Sequence, residues 1–156
     1  MLFYADLQFF KVGGKFVVKE LAVISCDSEI KHYVFKPPTN FKNLTRSEKK
    51  EVKWVERHHH QILWNTGYVP CNYAKKIIVE DLQCTDKVFV KGLHKVNYLQ
   101  TLNINAYNIE DSEDIPKCKT SRFTRKISCM NHEGYSYICA LSNVFNIKNL
   151  VEKFLL

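Results

Sequence analysis

The stretch LFYADLQFF (residues 2–10), the turn Val12-Gly13-Gly14-Lys15 and the stretch KFVVKELAVIS (residues 15–25) together read as one long β-hairpin. Residues 2–10 alternate with strand period and are rich in aromatic and aliphatic side chains. Two adjacent glycines supply the positive φ that a tight hairpin turn needs. The second stretch is apolar on both sides except at Lys19 and Glu20, the pattern of a strand covered above and below. A central, two-sided sheet therefore begins at the start of the chain, and the later segments must cover it.

The following segments supply that cover. Residues 30–37 (IKHYVFKP) read as a third strand, ended by Pro37-Pro38, which cannot donate to a ladder. Thr45-Arg46-Ser47-Glu48 is a capping-box pattern that opens a helix running to about residue 59. A second helix is expected over 70–83 with Pro70 near its start, a strand over 86–91, a turn at Gly92, a helix over 93–102 and a strand over 104–109. A polar loop follows, acidic from Glu110 to Asp114 and basic from Lys117 to Lys126. The last element, residues 136–155, carries Leu141, Val144, Phe145, Val151, Phe154 and Leu155 at the spacing of a core-facing helix. With no internal repeat and no linker, the order predicts a single α/β domain over residues 1–156. Its elements are a three-strand antiparallel meander, alternating helices and strands in a mixed five-stranded sheet, and a long C-terminal helix.

The chain carries a net charge of +7, which favours an anionic partner, nucleic acid first. No apolar run approaches the roughly 20 residues a bilayer span requires, so no membrane role is expected. No basic region followed by an apolar run opens the sequence, and the six cysteines are then expected free or metal-bound in a reducing, intracellular setting.

Cys129-Met130-Asn131-His132 and Cys139 place two thiols and an imidazole within eleven residues at the mouth of the last helix. Thiolate and imidazole are the ligands that tetrahedral zinc takes, and three of them leave one position for a distant residue. Cys118 is one candidate for it. His58-His59-His60 look like a metal box, but consecutive residues point in different directions on a helix, so two at most can share an ion. In the basic loop, Arg122, Arg125 and Lys126 flank Phe123 and read either as an exposed loop or as a phosphate-tracking segment with one stacking aromatic.

Asp6-Leu7-Gln8 on the first strand, with this element order, resembles the RNase H-like fold of the DEDDh exonucleases. In that family an Asp-x-Glu on the first strand aims two carboxylates at a pair of metal ions. Gln8 here stands at the second acidic position. Val88 to Leu99 is similar to a later family segment, with Lys95 where an aspartate is expected, and Ile138-Cys139-Ala140-Leu141-Ser142-Asn143-Val144 is similar to the last motif. Ile138 holds its histidine position and Asn143 its aspartate position. Of the five catalytic positions only Asp6 is acidic, so the resemblance implies a pseudo-exonuclease in which Asp6, Gln8, Lys95 and Asn143 are vestigial. The Maelstrom domain, a branch of this fold that lost the exonuclease acids, carries a Glu-Cys-His-Cys zinc set. The chain resembles it at Glu20, Cys129, His132 and Cys139, which implies a structural zinc with Glu20 as fourth ligand.

The function expected on these grounds is a noncatalytic nucleic-acid-binding module, with single-stranded RNA as ligand and Lys91, Lys95, Arg122, Arg125 and Lys126 as phosphate contacts. Two alternatives stand beside it. One is an active metal-dependent nuclease that retains Asp6, aided by Glu80, Asp81 or Asp86. The other is a scaffold for protein partners.

Overall fold

The structure, a computed structural model, describes residues 1–121, 123–124, 129–134 and 138–156. The hairpin forms as expected: β1 (Leu2–Val12) pairs antiparallel with β2 (Lys15–Ser25), and Gly13 and Gly14 turn the chain at φ 56° and 77°. β3 (Ile30–Val34) pairs antiparallel with β2. β4 (Lys87–Val90) joins β1 in parallel, and β5 (Ala106–Asn108) joins β4 in parallel. The result is one mixed sheet of order β3-β2-β1-β4-β5, with the hairpin strands at its centre.

Among the described residues, five helices accompany it: α1 (Arg46–His58), α2 (Ala74–Leu82), α3 (Leu93–Thr101), α4 (Lys117–Ser121) and α5 (Ala140–Phe154). The capping box of α1 forms in full, with the Thr45 hydroxyl accepting from the Glu48 N–H and the Glu48 carboxylate from the Thr45 N–H. Two expectations need correction. The stretch 110–126 is not loop throughout, since it contains a 3₁₀ turn at Ile109–Asp111 and α4. The last helix starts at Ala140, with extended backbone at Cys139, so the apolar periodicity overran its true start.

The two faces of the sheet are covered by different helices. On one face Ala5, Leu7, Val18, Leu21 and Val23 meet Ile78 and Leu82 of α2 and Val96 and Leu99 of α3. On the other, Tyr4, Ala22 and Ile24 meet Val144, Ile147 and Val151 of α5. Beyond α5 on that second face, Phe10 and Val12 pack with Val52 of α1 and with Leu44 and Trp64.

The period of β2 is broken once. Gln8 pairs with Glu20 but Phe9 pairs with Val18, so Lys19 is the extra residue of a β-bulge. The bulge lets Val18 and Leu21 share one face while Glu20 and Ala22 turn to the other. The fully buried Lys19 ammonium donates to the carbonyls of Phe35 and Trp64 at 3.0 and 2.9 Å and also to that of Thr66. Burial lowers its pKa to about 8. Among the described residues, no helix is long and apolar enough to cross a membrane.

Candidate metal centre

Glu20, Cys129, His132 and Cys139 converge against the second face of the sheet, and one ligand atom from each lies within 4.8 Å of all the others. Glu20 comes from β2 just past the bulge. Cys139 is the last residue before α5, and Cys129 and His132 lie on the segment that leads to it. The Glu20 carboxylate is fully buried. Its Oε2 accepts the Ala140 N–H at 3.1 Å, so a strand carboxylate caps the N-terminus of α5 in place of a side chain from Cys139.

The spacing and the donor chemistry fit a metal ion. The Cys129 and Cys139 sulfurs lie 3.6 and 3.7 Å from Glu20 Oε1, and His132 Nε2 lies 3.5 Å from Glu20 Oε2. Zinc bonds of about 2.0–2.3 Å put neighbouring ligands of a tetrahedron roughly 3.3–3.8 Å apart. His132 Nδ1 donates to the His60 carbonyl, which fixes the ring and turns Nε2 toward the carboxylate. The Glu133 N–H donates to the Gln61 carbonyl at 2.8 Å, so the segment carrying the imidazole is strapped to the stretch just past α1 by two backbone acceptors. Asn131 Nδ2 lies 3.4 Å from the Cys129 sulfur.

The group is also electrically tuned. The two thiols lie beside one another, and this coupling holds the Cys129 pKa down while it and burial raise that of Cys139. Burial opposes a charge on His132, but hydrogen bonding to Cys129 and Glu20 outweighs it and lifts its pKa to about 10. A second imidazole, that of His32, joins the group. Its Nε2 lies 2.9 Å from Glu20 Oε1, and its pKa is lifted to about 9 against the cost of burial by Cys129 and Glu20. His32 was not among the residues singled out from the sequence. It sits opposite Ala22 on β3, diagonal to Glu20, a neighbour that only the strand register reveals.

The remaining candidates fall as follows. Cys118 is exposed on α4 and takes no part in the group. Of the three consecutive histidines, His60 is a core residue. Its Nε2 donates to the Phe9 carbonyl at 3.2 Å, its Nδ1 accepts the Ile62 N–H at 3.1 Å, and burial presses its pKa down to about 3. Asp6, Gln8, Lys95 and Asn143 do come together: Asp6 Oδ1 takes the Lys95 ammonium, and Oδ2 accepts from Gln8 Nε2 and Asn143 Nδ2, each at 3.0 Å. Asp81 is engaged by Lys31 and Tyr33 at 2.8 and 3.0 Å, and Asp86 pairs with the N-terminal amine. Lys91 is partly exposed, 4.8 Å over the Phe123 ring and 4.0 Å from the Glu110 carboxylate. Arg122, Arg125 and Lys126 lie outside the described residues.

Comparison with protein families, with curated proteins and with solved structures returns no match for this chain.

Proposed function

We propose that the chain is a noncatalytic module that binds single-stranded nucleic acid, RNA in the first place, on an RNase H-like fold whose exonuclease site has been closed and whose last helix is held by a structural zinc. The observation that carries this reading is the state of Asp6. A two-metal phosphodiesterase needs several free carboxylates around two cations about 4 Å apart. Here the one carboxylate of the set is fully buried, and both its oxygens are taken by an ammonium and two amides. The antiparallel meander continued by two parallel strands, with Asp6 and Gln8 on the central strand, supports the relation to the RNase H-like fold. The net charge of +7 supports a polyanionic partner.

Zinc is the ion that two thiols, an imidazole and a carboxylate favour. With four protein ligands no position is left for a reacting water, so the ion joins β2 to α5 and performs no chemistry. The test pairs two measurements on the purified protein. Elemental analysis is expected to find about one zinc per chain. Anisotropy with a labelled single-stranded RNA is expected to show binding that weakens steeply with salt and no cleavage in magnesium or manganese. Magnesium-dependent cleavage that vanishes in Asp6→Asn would replace this reading with a nuclease.

A further inference from the structure

Gln8, Lys95 and Asn143, the partners of Asp6, line a cavity of about 350 Å³ together with Lys91 and His94, within the size range of small-ligand sites. Two lysines and one carboxylate, Glu110, line it. Lys95 is spent on Asp6, and Glu110 stands 4.0 Å from Lys91 at the rim. The first turn of α3 adds the positive end of a nine-residue helix that has no side-chain cap. His59 lines the same cavity, and its buried Nδ1 has no hydrogen-bond partner among the described residues. Burial and then Lys95 hold the pKa values of His59 and His94 below the ordinary value, so both rings present neutral nitrogens at neutral pH.

Gln8, His59 and His94 also line a second, apolar cavity of about 130 Å³, so the two adjoin across these side chains. The wall of this second part is aromatic. Phe16, 44% exposed on the hairpin, stacks on His94 with centroids 6.4 Å apart and planes 27° off parallel, and the Lys11 ammonium lies 5.8 Å over its ring. An exposed, nearly parallel ring pair beside a polar-lined hollow with Lys91 at its rim offers a flat apolar ligand a face and an attached anion a contact.

We infer that this cleft, bounded by the hairpin, the end of α1 and the start of α3, holds one nucleotide of a single strand without any divalent ion, its base on the Phe16–His94 pair and its phosphate at Lys91 and the first turn of α3. The inference rests on the nucleic-acid reading above and goes beyond it in giving the strand a place that uses neither the basic loop nor a metal.

The experiment measures anisotropy of a labelled single-stranded uridine oligonucleotide with the full chain, with and without magnesium, for wild type, Phe16→Ala, Lys91→Ala and, as a control, Lys153→Ala. Lys153 lies about 15 Å along α5 from Asn143. Zinc content and melting temperature confirm that each variant is folded. Phe16→Ala is expected to weaken binding about tenfold with an unchanged salt slope. Lys91→Ala should lower that slope by about one, Lys153→Ala should bind as wild type, and magnesium should change nothing. If the strand binds but Phe16→Ala and Lys91→Ala match wild type, the cleft is wrong and the nucleic-acid reading stands. If no single strand binds wild type, both fall. A requirement for magnesium overturns the metal-free assignment, and equally tight competition by free uridine monophosphate overturns the strand in favour of a free nucleotide.

Discussion

Two buried carboxylates, Asp6 on β1 and Glu20 on β2, face the same side of the sheet, and both meet the beginning of α5. Asp6 is matched by groups that neutralise it and fill its acceptor sites: one ammonium and two amides. Glu20 is matched by two thiols and two imidazoles, groups that can give up protons and turn lone pairs on a shared point. The first arrangement is complete as it stands, whereas the second could hold a metal ion. A buried carboxylate is thus no sign of a metal site in itself; its neighbours decide, by offering either fixed positive charge or further ligands.

The sharpest way to break this contrast is to remove the ligands. Cys129→Ser/His132→Ala should lose its zinc by elemental analysis and show the largest loss in melting temperature of any change considered, because binding energy at a structural zinc site is folding energy. Retained metal, or an unchanged melt, would return these residues to ordinary core. Next is the other carboxylate. Lys95→Ala leaves Asp6 buried and uncompensated, at a cost of about 3–5 kcal/mol by denaturant unfolding. Asp6→Asn/Lys95→Met should recover most of that, and both variants should keep full metal content.

A third test uses acid. The His60 pKa is pressed from its ordinary 6.5 down to about 3 in the folded chain. The unfolded chain therefore takes up a proton first as pH falls. The stability tied to the neutral ring is whole above pH 6.5 and declines by roughly 3 kcal/mol as pH drops to about 4. Protonation at Nδ1 would displace the Ile62 N–H, which gives the decline a structural cause. His60→Gln should flatten this part of the stability profile. The smallest effect is expected at His32. With its imidazole on Glu20 gone, His32→Ala should bind one zinc per chain still, with affinity lowered about 10–100-fold in chelator competition. No change in affinity would show that Glu20 is held well enough by α5 alone.

The sequence made the scaffold legible wherever one local rule sufficed. Paired glycines marked the hairpin, Thr45 and Glu48 marked a helix start, and the Cys-x-x-His spacing marked half of the ligand set. What it concealed depended on register and packing. The bulge at Lys19 reads as two-sided hydrophobicity, because a skipped residue shifts the alternation without leaving a motif. His32 and His60 have the same residue type and opposite roles, one beside the ligands and one in the core, and only their neighbours separate them. Lys95 reads from the sequence as a phosphate contact as well as a vestigial position, while in the fold its charge is directed at Asp6. The start of α5 was overrun because apolar spacing continues through Ile138 and Cys139 while the backbone there does not coil.

The link from Glu20 to Cys139 spans 119 residues. At translation speeds of about 5–20 residues per second, that separation amounts to roughly 6–24 s between the emergence of the first ligand and that of the last. Throughout this interval the sheet face of Tyr4, Ala22 and Ile24 lacks the helix that covers it. A nascent chain therefore carries an apolar surface and an unclosed thiol-imidazole group together, and an ion held by that group would be captured only as the surface is buried. Scarcity of zinc during synthesis would then be felt as aggregation of newly made chains, while molecules already folded would be spared.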